Sequence, residues 1–208
     1  MTVLLVNGSP HREGNTATAL AEIGTTLAAE GIAAETFWIG TRPVRGCIAC
    51  GACRAKCPGR CAFDDDACNE LIGRIAAADG LVVGSPVYYG QPNGALLALL
   101  QRAFFAGTSA IEGKPAAAVA VCRRGGSTAA FQCLNMPLQM LCCPLATSQY
   151  WNIAFGRAPG EAAQDEEGMQ TMRTLARNMA FLMKSIALGR EEFGLPEREP
   201  GMWTNFIR

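Results

Sequence analysis

Short apolar runs without internal alternation are separated along this 208-residue chain by segments whose apolar residues recur every three to four positions. A brief continuous run fits a strand covered on both faces, and the longer spacing fits a helix packed on one side. Thr2 to Asn7 is the first strand, and Leu20, Ile23, Gly24, Leu27 and Ala28 mark a helix stopped by Gly31. Ala33 to Ile39, Gly80 to Ser85, Pro115 to Arg123 and Leu145 to Trp151 supply four further strands. Between and after them lie helices over Cys68 to Ala78, Gly94 to Ala106, Thr128 to Met140 and about Glu161 to Leu188, the last with a Met-rich apolar stripe. This alternation predicts an α/β fold, a doubly wound five-stranded parallel sheet with helices on both faces. Such sheets bind ligands beyond the carboxyl ends of their strands, where the strand order reverses. The loops after the first, third and fourth strands are therefore where chemistry is expected.

Composition excludes several classes. Eighteen Lys plus Arg balance eighteen Asp plus Glu, so no basic field exists to gather a nucleic acid or an acidic membrane surface. No apolar run approaches the ~20 residues that span a bilayer. Met1 to Asn7 has no basic segment and runs directly into Gly8-Ser9-Pro10, which predicts no secretory leader and a cytoplasmic protein. A single domain over residues 1–190 is expected, followed by a tail over 191–208 that opens with the Pro/Glu-rich stretch Leu195 to Gly201.

After the first strand comes Gly8-Ser9-Pro10-His11-Arg12-Glu13-Gly14-Asn15-Thr16. The Ser9 and Thr16 hydroxyls, the Asn15 amide and the free N–H groups of the following helix can all donate to one anion, aided by the helix dipole. No Lys precedes Thr16 and the glycine spacing fits neither a Walker loop nor a dinucleotide fingerprint. Hydroxyls and amides without Lys suit a phosphate monoester bound without magnesium, as in FMN. The plain alternative is a turn with an N-cap. His11, the sole histidine, is better suited at this position to hydrogen bonding a phosphate than to moving a proton.

The third strand ends in Ser85-Pro86-Val87-Tyr88-Tyr89-Gly90-Gln91-Pro92-Asn93-Gly94, a rigid loop expected to set two aromatic rings beside a flat ligand. Together, Gly-Ser-Pro-His-x-x-Gly-Asn-Thr and Ser-Pro-Val-Tyr-Tyr-Gly-x-x-x-Gly resemble the flavodoxin-like NAD(P)H-dependent FMN reductases, including the iron–sulfur flavoproteins among them. The resemblance implies that Ser9, His11, Asn15 and Thr16 hold the FMN phosphate. It implies Pro86, Val87, Tyr88, Tyr89 and Gly90 for the isoalloxazine ring, with Arg124, Gly125 and Gly126 as a third, less closely matched contact. A basic residue there would stabilise negative charge on the reduced ring. Arg123 and Arg124 as solvated charges at a helix start are the alternative.

Half of the ten cysteines, Cys47, Cys50, Cys53, Cys57 and Cys61, fall within fifteen residues. In a reducing compartment such clustering points to a metal or redox site before disulfides. Cys47-x-x-Cys50-x-x-Cys53-x-x-x-Cys57-Pro58 has the spacing of the bacterial ferredoxin run. Cys61 competes with Cys57 as the fourth ligand, and Cys47, Cys50, Cys53 and Cys61 match the compact motif of iron–sulfur flavoproteins better. A 4Fe-4S cluster, zinc, and reduced thiols without metal all remain open at this point. Cys68, Cys122, Cys133, Cys142 and Cys143 read as packing residues.

Two functions compete. The first is an enzyme whose FMN takes hydride from NAD(P)H and passes electrons to a small acceptor such as a flavin or quinone. The second is an iron–sulfur flavoprotein electron carrier that exchanges single electrons between a cluster and FMN, with a ferredoxin as partner. A phosphorylated receiver domain shares the fold but requires carboxylates where this chain has Asn7-Gly8-Ser9 and Ser85-Pro86. The aromatic end of the tail, Trp203, Phe206 and Ile207, is expected to dock on a neighbouring subunit, which predicts a homodimer or larger even oligomer.

Overall fold

The computed structural model describes residues 1–197, 199–202, 204 and 206. Its sheet contains β1 (Thr2–Asn7), β2 (Ala33–Trp38), β3 (Gly80–Tyr88), β5 (Ala116–Cys122) and β6 (Ile153–Phe155), ordered β2-β1-β3-β5-β6 and all parallel. The two-residue β4 (Gln91–Pro92) folds back antiparallel on the end of β3. Strand order reverses between β1 and β3, so the loops leaving these two strands diverge over one crevice.

Alternate residues of each strand supply opposite cores. Leu4, Val6, Leu81, Val83, Ala116 and Ala118 pack beneath α3 (Cys68–Ala77), α4 (Gly94–Ala106) and α6 (Ser127–Met140). Val3, Leu5, Val82, Ala117, Val119 and Val121 pack beneath α1 (Asn15–Ala29) and α7 (Glu166–Phe193). The apolar strand runs are explained by this double coverage. Two one-turn helices complete the set, α2 (Ala52–Ala55) in the cysteine segment and α5 (Thr108–Ile111) after α4.

Two expectations need correction. The run Leu145 to Trp151 is not the fifth strand: it makes one bridge, Leu145 to Ala116, and the ladder resumes at Ile153. The physical cause is Asn152, whose buried amide donates to the Ala118 carbonyl at 3.1 Å and accepts from the Ser148 hydroxyl at 2.7 Å, replacing a backbone pairing. Tyr150 and Trp151 are thereby turned out to solvent. The last helix also starts later, because Glu161–Gln164 forms a 3-10 turn and the Asp165 carboxylate caps the Gly168 N–H at 2.9 Å. It then continues past Leu188 to Phe193.

Among the described residues no helix is long and apolar enough to cross a membrane. In the tail, Met202 and Phe206 are exposed. Trp203 and Ile207, on which docking was also expected to rest, lie outside the described residues.

Candidate functional site

A cleft of about 720 Å³ opens above the carboxyl ends of β1, β3 and β5, within the range of small-molecule sites. Its floor is the loop from Gly8 to Gly14. Gly8 is required there by crowding, since a Cβ would stand 2.4 Å from Leu96 Cδ2 and 2.7 Å from the Gly84 carbonyl. Asn7 braces the loop twice, accepting from Ser9 N–H at 3.0 Å and donating to the Arg12 carbonyl at 3.2 Å. Trp38 Nε1 donates to the Ser9 carbonyl at 2.8 Å, and the Arg12 guanidinium lies 5.7 Å from the centre of the Trp38 ring. The Ser9 hydroxyl oxygen accepts from His11 N–H at 3.1 Å, an arrangement in which its own proton points elsewhere.

Helix α1 begins with Gly14 at its N-cap in an extended conformation, with no capping side chain. The first intrahelical donor is Thr18 N–H to the Gly14 carbonyl, which leaves the N–H groups of Asn15, Thr16 and Ala17 aimed along the helix axis into the cleft. A first turn left uncapped beside a cleft is suited to an anion. The bland reading of this loop as a capped turn therefore loses its cap. Asn15 does more than donate to a ligand: its amide donates to the Ala158 carbonyl at 2.8 Å and accepts from Ala162 N–H at 2.9 Å. It ties the loop after β6 to the phosphate loop, and Gly156 packs so closely on it that a Cβ would stand 2.8 Å from Asn15 Cγ.

The second wall is the end of β3. Asn93 links the two loops, donating to the Gly8 carbonyl at 2.7 Å and capping α4 through Ala95 N–H at 3.1 Å. Pro86, Val87 and Tyr88 line the cleft. Burial holds the Tyr88 phenol above its usual value, so it is a neutral donor. Tyr89 does not join it. Tyr89 and Gly90 both have positive φ, 50° and 77°, the pattern of a tight hairpin turn, and the Tyr89 side chain is wholly exposed. One aromatic ring of the expected two faces the cleft. Gly90 instead receives Gly126, whose positive φ and close approach, 2.7 Å from a built Cβ to Gly90 Cα, exclude any side chain.

The structure thus brings Ser9, His11, Asn15, Thr16, Pro86, Val87 and Tyr88 onto one cleft and leaves Tyr89, Gly90, Arg124, Gly125 and Gly126 off its lining. Arg123 occupies the place expected of Arg124. Arg12, Trp38, Gly156 and Arg157, to which the sequence reading gives no site role, also line it, as does Cys122, which that reading makes a packing residue. Of these only the arginines carried a readable signal, and that signal was charge beside a loop. Arg12, Arg123 and Arg157 line the cleft together with Glu13, beside an uncapped helix start and a partly apolar slot, a setting that suits a planar ring bearing a phosphate, as in FMN.

The cysteine segment crosses from β2 to α3. Among the described residues no three His, Cys, Asp or Glu side chains stand together as the shell of a single metal ion. Cys47, Cys50, Cys53 and Cys61 nevertheless line one small hollow against Phe63, Arg102 and Phe105, and Cys57 does not line it. The Cys57 thiol donates to the Ala52 carbonyl at 3.4 Å, within its own turn of chain. Positive φ at Ala49 and Gly51 folds the loop tightly, and Ala49 N–H donates to Cys47 Sγ at 3.4 Å. Arg102 Nε donates to Cys61 Sγ at 3.3 Å. Burial pushes the Cys53 thiol up, and the nearby Cys50, Cys57 and Cys61 add to this. Four cysteines on one hollow are the donor set that either a zinc ion or an iron–sulfur cluster takes. Cys68 is fully buried at the start of α3, with its thiol hydrogen-bonded to Cys61, and burial holds that thiol at about 12.

Residues 1–157 match the family model of the NADPH-dependent FMN reductases. The chain belongs to that family. An iron–sulfur flavoprotein of Methanocaldococcus jannaschii is 30% identical over 196 residues, which cover 89% of this chain and 99% of the relative. Another from Methanosarcina thermophila is 28% identical over 198 residues, covering 92% and all of the relative. A solved archaeal flavodoxin superposes with a TM-score of 0.59 at 14% identity, covering 88% of this chain and 99% of its own. The fold is flavodoxin-like. As a family member the protein is a flavin oxidoreductase, and FMN is the cofactor the family carries.

Proposed function

We propose that this FMN reductase family member is an iron–sulfur flavoprotein, with FMN in the cleft over β1, β3 and β5 and a 4Fe-4S cluster on Cys47, Cys50, Cys53 and Cys61. The observation that carries the reading is the sorting of the cysteines: four of them line one hollow, and the fifth, Cys57, does not line it and donates its thiol to the Ala52 carbonyl. When bound, the cluster supplies one-electron and the flavin one- or two-electron chemistry. Around the flavin, the α1 start with Ser9 and Thr16 binds phosphate. Val87 and Tyr88 hold the ring, and Arg12, Arg123 and Arg157 offset negative charge gained on reduction. A ferredoxin-like carrier is the one-electron partner of this reading. Serine at position 61 or 57 tests it: C61S is expected to lose iron while keeping FMN, and C57S to keep both. Equal iron in the two variants contradicts the ligand set.

A second reading, hydride transfer from NAD(P)H to FMN and on to a small flavin or quinone acceptor, is supported by the open mouth of the cleft, with Arg123 and Arg157 on its wall as phosphate partners for a nucleotide. Anaerobic mixing separates the two. Rapid bleaching of the flavin by NADH or NADPH supports the reductase, and bleaching by reduced ferredoxin alone supports the carrier. A homodimer or larger even oligomer belongs to either reading, as does the cytoplasm, where ten unpaired cysteines would stay reduced.

A further inference from the structure

The most completely buried charge among the described residues is not in the flavin cleft. Arg102, on α4, has a side chain 1% exposed, and its partner Asp66 is 4% exposed. Nη1 donates to the Asp66 carboxylate and, at 3.2 Å, to the Arg45 carbonyl. Nη2 donates to the Phe63 carbonyl at 3.3 Å. Nε donates to Cys61 Sγ at 3.3 Å. Burial disfavours the charge, but the bonds to Asp66 and Cys61 outweigh it, so the guanidinium stays protonated.

The acceptors span residues 45 to 66, so one side chain closes nearly the whole cysteine segment onto α4. A structural staple would need only Asp66 and the two carbonyls. The sulfur contact is the surplus. It falls on one of the four cysteines that line the hollow, and Cys57, only four positions earlier, has no such partner and bonds back into its own turn.

We propose that Arg102 is a positioning residue for the cysteine site: through Nε it fixes Cys61, in preference to Cys57, as the fourth sulfur, and it keeps a positive charge in contact with that sulfur. This rests on the cluster reading above. Hydrogen bonds and charge at a ligand sulfur favour the more negative, reduced form of a cluster. The guanidinium therefore raises the reduction potential of a bound cluster as well as its retention.

The test compares R102Q, R102K and D66N in the full-length protein purified anaerobically, with FMN content as the check on folding, since the flavin cleft shares no lining residue with the hollow. Iron release to a chelator and the cluster potential by spectroelectrochemistry are read. R102Q is expected to hold iron about 10–100-fold more weakly, as the loss of an outer partner usually does, and its remaining cluster is expected to titrate at a more negative potential. R102K keeps the charge and most of the volume without the Nε contact, so it provides the readout if R102Q does not fold. Its expected result is weakened retention with a smaller shift in potential. D66N weakens the staple but leaves the sulfur contact, and with one negative charge fewer beside the site its potential is expected to move the opposite way from that of R102Q, to a more positive value. Wild-type iron retention and potential in R102Q or R102K overturn the proposal, and so does a D66N potential displaced in the same negative direction as that of R102Q. A wild-type protein that takes up no iron overturns the cluster reading and this inference together. Full iron in the wild type with unaltered Arg102 variants overturns the inference alone.

Discussion

Thr16 and Asn15 are neighbours in sequence with different duties. Thr16 lines the cleft at the helix start, whereas Asn15 spends its amide on Ala158 and Ala162. T16A removes one donor to a charged acceptor, worth ~1.5–3 kcal/mol, so FMN affinity should fall roughly 10- to 100-fold with the protein otherwise intact. N15A should also weaken FMN, but together with faster proteolysis between residues 156 and 162, because that loop loses both anchors. Limited proteolysis alongside flavin fluorescence titration separates the two. At Gly8 the effect is on stability: Ala would drive a methyl into Leu96 and the Gly84 carbonyl, and overpacking of this kind costs ~1–3 kcal/mol. Thermal unfolding of G8A should occur several degrees lower, and an unchanged melting temperature would refute the crowding argument. The phosphate loop was legible because its donors are consecutive. Trp38, Asn93 and Arg102 were not, because each acts on residues 29, 85 and up to 57 positions away, and only the fold brings them there.

At the scale of elements, the strands and helices flanking the cleft were legible because double burial and one-sided burial write different periodicities. The fifth strand failed for the opposite reason: Leu145 to Trp151 is apolar enough for a strand, but Asn152 takes the ladder's place through its side chain, which periodicity does not register. The loop after β6 is held by another local device. Glu161 accepts from Arg157 N–H at 2.5 Å and Ala158 N–H at 2.7 Å. The backbone bonds to Ala158 and Arg157 lower its pKa below the usual 4.5. Because the folded value is the lower one, the contribution to loop order is complete above about pH 4.5 and is lost as pH falls through the folded value. FMN release should therefore quicken on acidification below that point in the wild type. E161Q, which lacks the titrating group, should show faster release at neutral pH and a flatter acid profile. A wild-type profile identical to that of E161Q would remove Glu161 from the account.

The whole molecule leaves apolar side chains uncovered along its last helix and tail: Phe181, Leu188, Phe193, Met202 and Phe206 are all exposed. Covered in a dimer, each large apolar group contributes ~1.5–3 kcal/mol, so light scattering of the intact chain should give an even oligomer, and deletion of residues 202–208 should shift it toward monomer. A monomeric wild type would contradict the assembly. Two cofactors in one chain are read together in the absorption spectrum of the anaerobically purified protein, taken with its iron and sulfide content. Flavin bands on a broad iron–sulfur shoulder are expected, with one four-iron cluster for each FMN, and loss of the shoulder alone in C61S. Flavin bands without iron or shoulder, even after anaerobic reconstitution, would contradict the cluster reading.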